Sequence, residues 1–482
     1  MKSNIYEESI EHFQDKPIVT IAAGTTCAYL GDERNLREFL VADETARQLR
    51  QAGHVVISLL FDDSFDALTE RQLRVALNKD IALIQRHNEW CGKPIGSLPD
   101  PFGCHSSFSD HFESKLLDRL RRFGCQPNIV STYSLYTKGF YQPFIEDILT
   151  RYDDVLTFLK NKFPDYTPDK LFWVLCPKCG YLDSTSIINI SGKEVNFSCT
   201  RCDNVQSVVI REAQGKFNWK LDCALRWALF KVDAEPFNTA YLEPIAGSFA
   251  VAQSLSREFF GGAGVFPIQY GMVKMDRTLS FKLMESVPPK SLRELLVEHP
   301  GSDIAITSEL MLTSMSRHFV MPDISYLDYI KQLLPVWLLT PESLTLEQRE
   351  LVSSGIAFSN HFFNEDVTLH VPSQNDLKDE APEIILAVSN LVTSCIAVRQ
   401  SDEFSEEEKT EELKRLVAAI VEQKKKVYTR LRILVGQDHG LPVSRILEIL
   451  PLQYLRLVST ILNLTIAAAD LQPASQKQPV AA

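Results

Sequence analysis

A strand, a small-residue turn and a charged helix start follow one another between residues 18 and 40 of this chain. The apolar run IVTIAAG at 18–24 predicts a buried strand, and apolar residues at helical spacing predict an amphipathic helix over 36–52. A second apolar run at 54–61 predicts another strand. Strand, helix and strand in this order require a parallel sheet with a right-handed crossover. The pattern therefore predicts an α/β chain with a Rossmann-like sheet, whose first turn lies where such sheets bind phosphate groups.

The rest of the chain changes in character near residue 303. Before that point, runs at 124–130 and 172–175 predict a third and a fourth strand of the sheet. After it, apolar residues recur at helical spacing, which predicts an all-helical region with one long helix at 413–434. The polar, acidic segment at 364–383 predicts a loop.

Composition limits the classes of protein that fit. The net charge of −12 argues against a broad, sequence-independent coat for nucleic acids. No uninterrupted apolar run reaches the roughly 18 residues of a membrane span, and the acidic N-terminal segment lacks a signal region. Ten cysteines spread over a long chain fit a reducing compartment and one metal site better than a disulfide framework. These features predict a cytoplasmic protein.

Two C-x-x-C pairs are the strongest local motif. Cys176 and Cys179 form the first pair, Cys199 and Cys202 form the second, and the segment between them can form a hairpin. Four thiolates on such a hairpin suit a tetrahedral zinc ion with no open coordination position, so the zinc is predicted to be structural. The alternatives are a relic without zinc and a redox pair.

A proline-rich loop and a group of acids are two further candidate sites. In the run PDPFGCH at 99–105, Cys104 and His105 suggest either a nucleophile–base pair or a metal site. Adjacent residues rarely face one another productively, so a structural loop is favoured. Asp62, Asp63 and Asp66 suggest a metal or base cluster, but they are interpreted as caps of the next helix, because acids after a strand commonly have that role.

Aromatic and charged residues alternate at helical spacing over 218–237. Trp219 and Trp227 offer cation–π faces and Glu235 offers a counter-charge, which suits the pocket of a small zwitterion or cation. The alternative is a helix that packs its two tryptophans into the core. In the run KMDRT at 274–278, a lysine and an arginine can neutralise developing phosphate charge, and the alternative is a surface loop without such a role.

Taken together, these segments resemble the class I lysyl-tRNA synthetases, in the family's order and over about residues 17–466. The residues that carry the resemblance are NLREFLVAD at 35–43, GKPIGSLPDPFGCHSSFSDHF at 92–112, the CPKCG and CTRCD pairs, WKLDCALRWALFKVDAEPF at 219–237, KMDRT at 274–278, VPPKSLRELL at 287–296 and RILVGQDHGLPVSRILEIL at 432–450.

The resemblance implies an architecture, a reaction and a set of pocket residues. The domains it implies are a first Rossmann-like half at 1–170, a zinc-ribbon insertion at 171–215, a second half at 216–302, an all-helical anticodon-binding-like domain at 303–466 and a disordered tail at 467–482. The family joins lysine to ATP as an adenylate and transfers the lysyl group to tRNA. The residues that map to the nucleotide and amino-acid pocket are Gly24, Asp32, Arg34, Asn35, Trp219, Trp227, Glu235, Tyr241, Lys274 and Met275, with Lys274 and Arg34 as catalytic candidates.

Two ATP motifs of the family are altered in this chain. In the P-S-G-x-x-H-x-G-N turn, Asn35 is kept, but Asp32 stands at a histidine that faces the nucleotide and Arg34 at the glycine under adenine. Of K-M-S-S-S-K-G, only Lys274 and Met275 remain. Loss of one such contact typically costs about 3–4 kcal/mol of transition-state stabilisation. The altered motifs predict a diverged, inactive paralogue that binds tRNA or a protein partner. The alternative is an active ligase for lysine or another amino acid with rebuilt motifs.

Overall fold

The computed structural model describes residues 4–242, 247–275, 283–317, 326–362, 369–436 and 441–470. The chain divides into an α/β unit, 1–276 with 293–306, and a helical unit, 277–292 with 307–482. Three sequence predictions fall partly outside the described residues, namely the tail from 471, residues 276–278 of KMDRT and residues 363–368 near the predicted loop.

The strands of the described residues all belong to the α/β unit. In chain order they are β1 (Ile18–Thr25), β2 (Val55–Asp62), β3 (Asn128–Ser131), β4 (Phe172–Val174), β5 (Thr185–Ser191), β6 (Glu194–Cys199), β7 (Asn204–Val209), β8 (Gly215–Phe217), β9 (Ala234–Asn238), β10 (Phe266–Tyr270), β11 (Val273–Met275) and β12 (Ile304–Ile306).

Five of these strands form one parallel sheet in the order β10-β9-β1-β2-β3. The central strand β1 is buried over most of its length, because its apolar residues are covered on both faces, as expected of a parallel sheet. β1 and β2 pair in register from Ile18 opposite Val55 to Thr25 opposite Asp62, so their carboxyl ends lie together. The predicted Rossmann-like α/β fold is confirmed.

The predicted fourth strand at 172–175 is wrong as a member of this sheet. β4 pairs antiparallel with β8 in a separate two-stranded sheet, with Phe172 opposite Phe217. The fourth and fifth strands of the parallel sheet are instead β9 and β10.

The hairpin predicted between the two cysteine pairs is present. β5, β6 and β7 form an antiparallel sheet, and the turn between β5 and β6 contains Gly192 with φ of 61°, a conformation that favours glycine. Val195 and Phe197 are fully buried on β6 and join the core of the α/β unit. The hairpin is therefore packed onto the unit that contains it.

The helices of the α/β unit begin with one before β1, and the others lie between its strands. They are α1 (Ile5–His12), α2 (Glu33–Gln51), α3 (Glu70–Ala76), α4 (Ile81–His87), α5 (Phe108–Arg122), α6 (Thr132–Thr137), α7 (Gln142–Thr150), α8 (Tyr152–Lys162), α9 (Trp219–Leu229) and α10 (Ser248–Phe259).

A buried arginine on α2 holds two later segments of the α/β unit. Arg37 donates hydrogen bonds to the carbonyl oxygens of Gly271 at 2.7 Å, Ser302 at 2.9 Å and Leu296 at 3.1 Å. The guanidinium group is completely buried. An arginine side chain carries five N–H donors in a fixed planar geometry, so Arg37 can satisfy several backbone carbonyls at once.

The helices of the helical unit follow. They are α11 (Leu283–Ser286), α12 (Pro289–Val297, which crosses the division), α13 (Ser308–Arg317), α14 (Tyr326–Leu339), α15 (Leu346–Phe362), α16 (Pro382–Gln400), α17 (Glu406–Ala418), α18 (Lys424–Leu434), α19 (Val443–Ile449) and α20 (Leu452–Asp470). A core of leucine, isoleucine and valine side chains joins α16 to α20.

The single long helix predicted at 413–434 is wrong. The chain forms α17 and α18 instead, and Gln423 between them has a left-handed backbone with φ of 49°. Lys424, Lys425 and Lys426 consequently lie in the first turn of α18.

Among the described residues, α16 is by itself long and apolar enough to cross a membrane, and the bent pair α19–α20 would qualify only if counted as one span. Ile384, Val388 and Val392 of α16 are buried in the core of the helical unit. A core helix passes the same length and composition test, so this helix is weak evidence for a membrane span.

Candidate functional site

An open cavity of about 470 Å³ lies at the carboxyl ends of β1, β9 and β10. Parallel α/β sheets bind ligands at this edge, because helix N-termini and strand-end side chains converge there. The volume falls within the roughly 300–1,000 Å³ that is usual for small-molecule sites. The cavity is therefore the candidate ligand site of the α/β unit.

The lining of this cavity carries more acidic than basic groups. Among its described residues are Glu38 from α2, Asp63 and Asp66 after β2, and Glu235 from β9. Arg226 from α9 is the basic residue among them. Part of this acidic charge is compensated by neighbouring cations, since Asp66 pairs with Lys216 and Asp63 with Arg226.

Arg226 is completely buried and organises two of these acids. Its Nη1 atom lies 3.2 Å from Oδ1 of Asp63, and its Nη2 atom lies 3.5 Å from Oε1 of Glu235. The guanidinium lies against β1 at Gly24, where a Cβ atom would come within 3.1 Å of Nη2. Trp227 supports the arrangement from the core, because its indole N–H donates to Glu235.

A second acid at the cavity is held by a tyrosine of another strand. The hydroxyl of Tyr270, on β10, donates to Oε2 of Glu38 at 2.9 Å. Burial raises the pKa of Glu38 to about 8, and the bond from Tyr270 only partly offsets that effect. Burial likewise raises the pKa of Asp63 to about 6, although Arg226 lowers it. Glu38 thus changes charge near neutral pH.

The turn between β1 and α2 is closed by an ion pair. Asp32 is the N-cap of α2, and its Oδ1 atom accepts the backbone N–H of Arg34 at 3.0 Å. The Arg34 side chain folds back on the same carboxylate, with Nε at 2.9 Å from Oδ2. The Asp32 side chain is almost fully buried, whereas that of Arg34 is 58% exposed. The negative charge of Asp32 is therefore neutralised within the turn, and its lone pairs cap the helix.

The structure brings only part of the predicted pocket together. The predicted residues that line the cavity are Gly24, Asn35, Trp219, Glu235 and Tyr241. Asp32 and Arg34 pair with each other beside it, and Trp227 lies in the core behind Glu235. Lys274 and Met275 lie on β11 and do not line the cavity, and Nζ of Lys274 lies 2.9 Å from Oδ2 of Asp303.

The interpretation of the three aspartates within 62–66 as helix caps is wrong. The helix that follows, α3, is capped by Thr69 in a capping box with Gln72. Asp63 and Asp66 line the cavity, and Asp62 accepts the backbone N–H of Cys27 at 3.0 Å.

Among the cavity residues that the sequence analysis did not single out are Glu38, Arg226 and Tyr270, although Arg226 lies within the 218–237 segment. Glu38 follows Asn35 by three residues, so both lie on one face of α2, and that spacing was an available signal. Arg226 and Tyr270 come from α9 and β10, and no local pattern relates them to the first turn.

The four cysteines of the two C-x-x-C pairs converge on one point. Their sulfur atoms all lie within 4.8 Å of one another, with Cys176 to Cys202 and Cys179 to Cys199 both at 3.7 Å. Tetrahedral coordination at a Zn–S distance of about 2.3 Å requires sulfurs about 3.8 Å apart. The four sulfurs therefore form a cluster that can hold a metal ion.

A parallel α/β sheet with a cavity at its strand ends, an inserted four-cysteine hairpin and a following helical unit is the architecture of a class I aminoacyl-tRNA synthetase. Residues 2–291 match the family model described as tRNA synthetases class I (K). Since this match covers more than half of the chain, the chain belongs to that family.

Individual relatives agree with this assignment. A lysine–tRNA ligase of Archaeoglobus fulgidus is 26% identical over 299 residues, 59% of this chain and 58% of the relative. Lysine–tRNA ligase 1 of Methanosarcina acetivorans is 27% identical over 281 residues, 55% of this chain and 50% of the relative. The chain thus spans about half the length of the relatives it matches. A solved glutamate–tRNA ligase of Elizabethkingia meningosepticum aligns over 93% of this chain and 99% of its own, at 11% identity and a TM-score of 0.43.

Proposed function

We propose that this chain is a diverged class I synthetase that binds a cationic amino acid resembling lysine and acts by binding, without the ordinary lysine–tRNA ligase reaction. The observation that carries the first half is the acidic cavity. The observation that carries the second half is the turn between β1 and α2, where Asp32 and Arg34 occupy positions of the family's nucleotide motif.

The amino-acid part of the proposal rests on charge and shape. Glu38, Asp63 and Glu235 offer carboxylates to an ammonium group, and Trp219 and Tyr241 offer aromatic rings 6.3 Å apart at the rim. Arg226 holds Asp63 and Glu235 in place behind these groups. A zwitterion with an additional positive charge satisfies all of these groups together.

The nucleotide part rests on what the N-terminus of α2 already binds. A free helix N-terminus favours phosphate through its unpaired N–H groups and its dipole. Here the Asp32 carboxylate accepts one of these N–H groups and is itself paired with Arg34. A phosphate would have to displace a buried acid, so ATP is expected to bind weakly.

ATP binding and exchange test this part directly. Millimolar ATP with Mg²⁺ is expected to leave the melting temperature unchanged, because a ligand at a concentration below its Kd adds little to RT ln(1 + [L]/Kd). Lysine-dependent ATP–pyrophosphate exchange is expected to be absent, because it requires bound ATP. The matched variant is Asp32→His with Arg34→Gly, which restores the family's residues and should gain ATP-induced stabilisation. Exchange by the unaltered chain with lysine or any other common amino acid would contradict the proposal.

Lysine binding is expected to tighten as the pH rises from 6 to 8. Because the pKa of Glu38 is raised to about 8, its carboxyl is neutral below that value and gains the negative charge that attracts an ammonium group above it. If binding releases one proton, the Kd falls by up to about tenfold per pH unit below the pKa. Calorimetric titration at several pH values measures this.

The matched pair for that titration is Glu38→Gln and Glu89→Gln. The first should flatten the pH dependence, since the glutamine keeps the shape without the charge change. The second removes an exposed carboxyl outside the cavity and should leave the profile of the original chain. A lysine affinity that is independent of pH in the original chain would contradict the assignment of Glu38.

An active ligase is the second candidate, and Arg34 favours it. Its guanidinium is more than half exposed at the edge of the first turn, so it can leave Asp32 and pair with a phosphate instead. In that case the exchange assay above is positive, and Arg34→Ala lowers exchange while Arg71→Ala on α3 does not.

The proposed partner of the helical unit is tRNA. Lys424, Lys425 and Lys426 are exposed in the first turn of α18, where the helix dipole disfavours positive charge. Three lysines in this position lower the stability of the helix. Contact with the phosphates of a bound nucleic acid would explain why they are there. The alternative is that this surface binds a protein partner.

The metal of the cysteine cluster is proposed to be structural zinc. The protein is proposed to be cytoplasmic.

Replacing the three lysines by alanine is expected to weaken tRNA binding and to lower the slope of log K against log salt by about two to three, one per lost phosphate contact. Gel shifts with total tRNA at several salt concentrations measure both. The control removes three exposed lysines of the α/β unit: Lys160, Lys162 and Lys193. Absence of any complex at low salt would remove tRNA as the partner.

A further inference from the structure

A buried lysine contacts the cavity from behind its lining. Lys216 lies on β8, and only 5% of its side chain is exposed. Its ammonium group pairs with Oδ1 of Asp66, which lines the cavity, and its Nζ atom lies 3.7 Å from Oδ2 of the fully buried Asp222. Lys216 itself does not line the cavity, so its contact with the cavity is through Asp66.

Asp66 is held in place through its backbone as well as its side chain. Its N–H donates to the carbonyl oxygen of Asp63 at 2.9 Å, and its carbonyl oxygen accepts the N–H of Ile95 at 3.0 Å. The two carboxylate oxygens have different partners, because Oδ1 pairs with Lys216 and Oδ2 accepts the hydroxyl of Thr26 at 2.8 Å. Asp66 and Thr26 both line the cavity. A chain of contacts therefore runs from the buried lysine to a hydroxyl group at the ligand site.

The protonation of a carboxyl group decides how a hydroxyl beside it is turned. An ionised carboxylate only accepts hydrogen bonds, so the single hydroxyl hydrogen of Thr26 is directed at Asp66 and its lone pairs are left for other donors. A protonated carboxyl would instead donate to Thr26 and turn the hydroxyl hydrogen toward the cavity. A hydroxyl that only accepts suits an ammonium group and is unsuited to a carboxylate or phosphate oxygen.

Lys216 is a cation among several acids. Burial raises the pKa of Asp222, and Lys216 and Arg226 oppose that shift. Burial also raises the pKa of Asp63 to about 6, and the same two cations again oppose the shift. Burial lowers the pKa of Lys216 itself, but Asp66, Asp63 and Asp222 raise it by more, so the ammonium group stays charged. Without this cation, neighbouring carboxylates would repel one another in a place that water barely reaches.

We infer that Lys216 is a positioning residue of the cavity: it holds Asp66 as a hydrogen-bond acceptor, and Asp66 turns the Thr26 hydroxyl so that its lone pairs face an ammonium group of the ligand. The inference rests on the proposed binding of a cationic amino acid and adds a means of selection to it. Lys216 touches no ligand, and it favours a donor over an anion by fixing the direction of one hydroxyl group.

A double-mutant cycle on lysine affinity, measured by calorimetry on the whole chain, tests the inference. Thr26→Val removes the hydroxyl at nearly constant shape, and Lys216→Met removes the charge. Each is expected to weaken lysine binding by about 10–100-fold, the loss of one hydrogen bond to a charged group. The double variant is expected to bind lysine as weakly as Thr26→Val alone, because Lys216 acts through that hydroxyl.

Two further lysine variants separate charge from packing. Lys216→Arg keeps the positive charge and should retain most of the lysine affinity. Lys160→Met, at an exposed position of α8, is the matched control and should leave the affinity of the original chain. A lysine with a merely structural role would lower the melting temperature of Lys216→Met, and its effect on affinity would multiply with that of Thr26→Val. Multiplied effects would overturn the inference, as would unchanged lysine affinity in Lys216→Met.

Asp66→Asn covers the case in which Lys216→Met fails to fold, since the Asp66 side chain is 33% exposed. It should lose about as much lysine affinity as Thr26→Val and lose nothing more in combination with it. Independent effects of Asp66→Asn and Thr26→Val would again contradict the inference. An unaltered chain that does not bind lysine would contradict the proposed function itself, and the first titration shows that before any variant is made.

Discussion

Replacing Arg226 by leucine is expected to lower the free energy of unfolding by about 3–5 kcal/mol, the usual cost of removing one partner from a buried ion pair. The guanidinium is completely buried and lies within 3.5 Å of carboxylate oxygens of both Asp63 and Glu235. Leucine fills part of the space but leaves these acids without a counter-charge. Urea unfolding monitored by circular dichroism measures the loss.

The pH dependence of this loss distinguishes lost charge from lost packing. Without Arg226 the pKa of Asp63, already raised to about 6 by burial, rises further, so the carboxyl is protonated at mildly acidic pH. A group whose pKa is raised on folding contributes stability at low pH and loses it as the pH rises. The deficit of the variant should therefore be smaller at pH 5 than at pH 8. A packing defect would give the same deficit at both.

The control for this experiment is Arg71→Leu, the same substitution at an exposed position of α3. Surface changes of this kind usually alter stability by less than about 0.5 kcal/mol. Lysine affinity should be lost in Arg226→Leu and kept in Arg71→Leu. An Arg226→Leu protein as stable as the original chain would show that the buried acids are neutral without the arginine.

The parallel sheet was predictable because its signal is local. β1, α2 and β2 each carry their own apolar pattern. The order strand, helix, strand then predicts a right-handed crossover between two parallel strands. The segment at 172–175 shows the limit of that signal. Its apolar residues identify a strand but not its partner, and β8, some forty residues later, supplies the antiparallel neighbour. No glycine or proline marks the break at Gln423. The helical spacing of apolar residues therefore predicts one helix across it.

The candidate site was predictable where its residues lie in segments that resemble the family, including the distant Trp219, Glu235 and Tyr241. Gly24 and Asn35 come from the first strand and the helix that follows it, and the resemblance to a family identified both. Arg226 and Tyr270 reach the same cavity from α9 and β10 and depend on the assembled sheet. Asp32 shows a different limit. It stands at a position that faces the nucleotide in the family, but here its carboxylate pairs with Arg34 and caps α2, which a sequence position alone does not reveal.

Removing the metal proposed for the hairpin cluster is expected to unfold β5, β6 and β7 while the parallel sheet stays folded. Apparent binding free energies for structural zinc are about 10–16 kcal/mol in small zinc domains, and the binding energy is also the folding energy. The cluster joins the turn before β5 to the end of β6 and the start of β7, so its loss separates the ends of all three strands. Hydrogen exchange after treatment with a chelator measures this strand by strand.

The expected result is rapid exchange throughout β5–β7 and unchanged protection in β1 and β2. Val195 and Phe197 are fully buried against the rest of the α/β unit, so some protection at β6 would survive if packing alone held the hairpin. Cys179→Ser should reproduce the effect of the chelator, and Cys91→Ser should not. Equal protection of β6 with and without metal would mean that the hairpin is held by its apolar contacts, and the four cysteines would then need another explanation than stability.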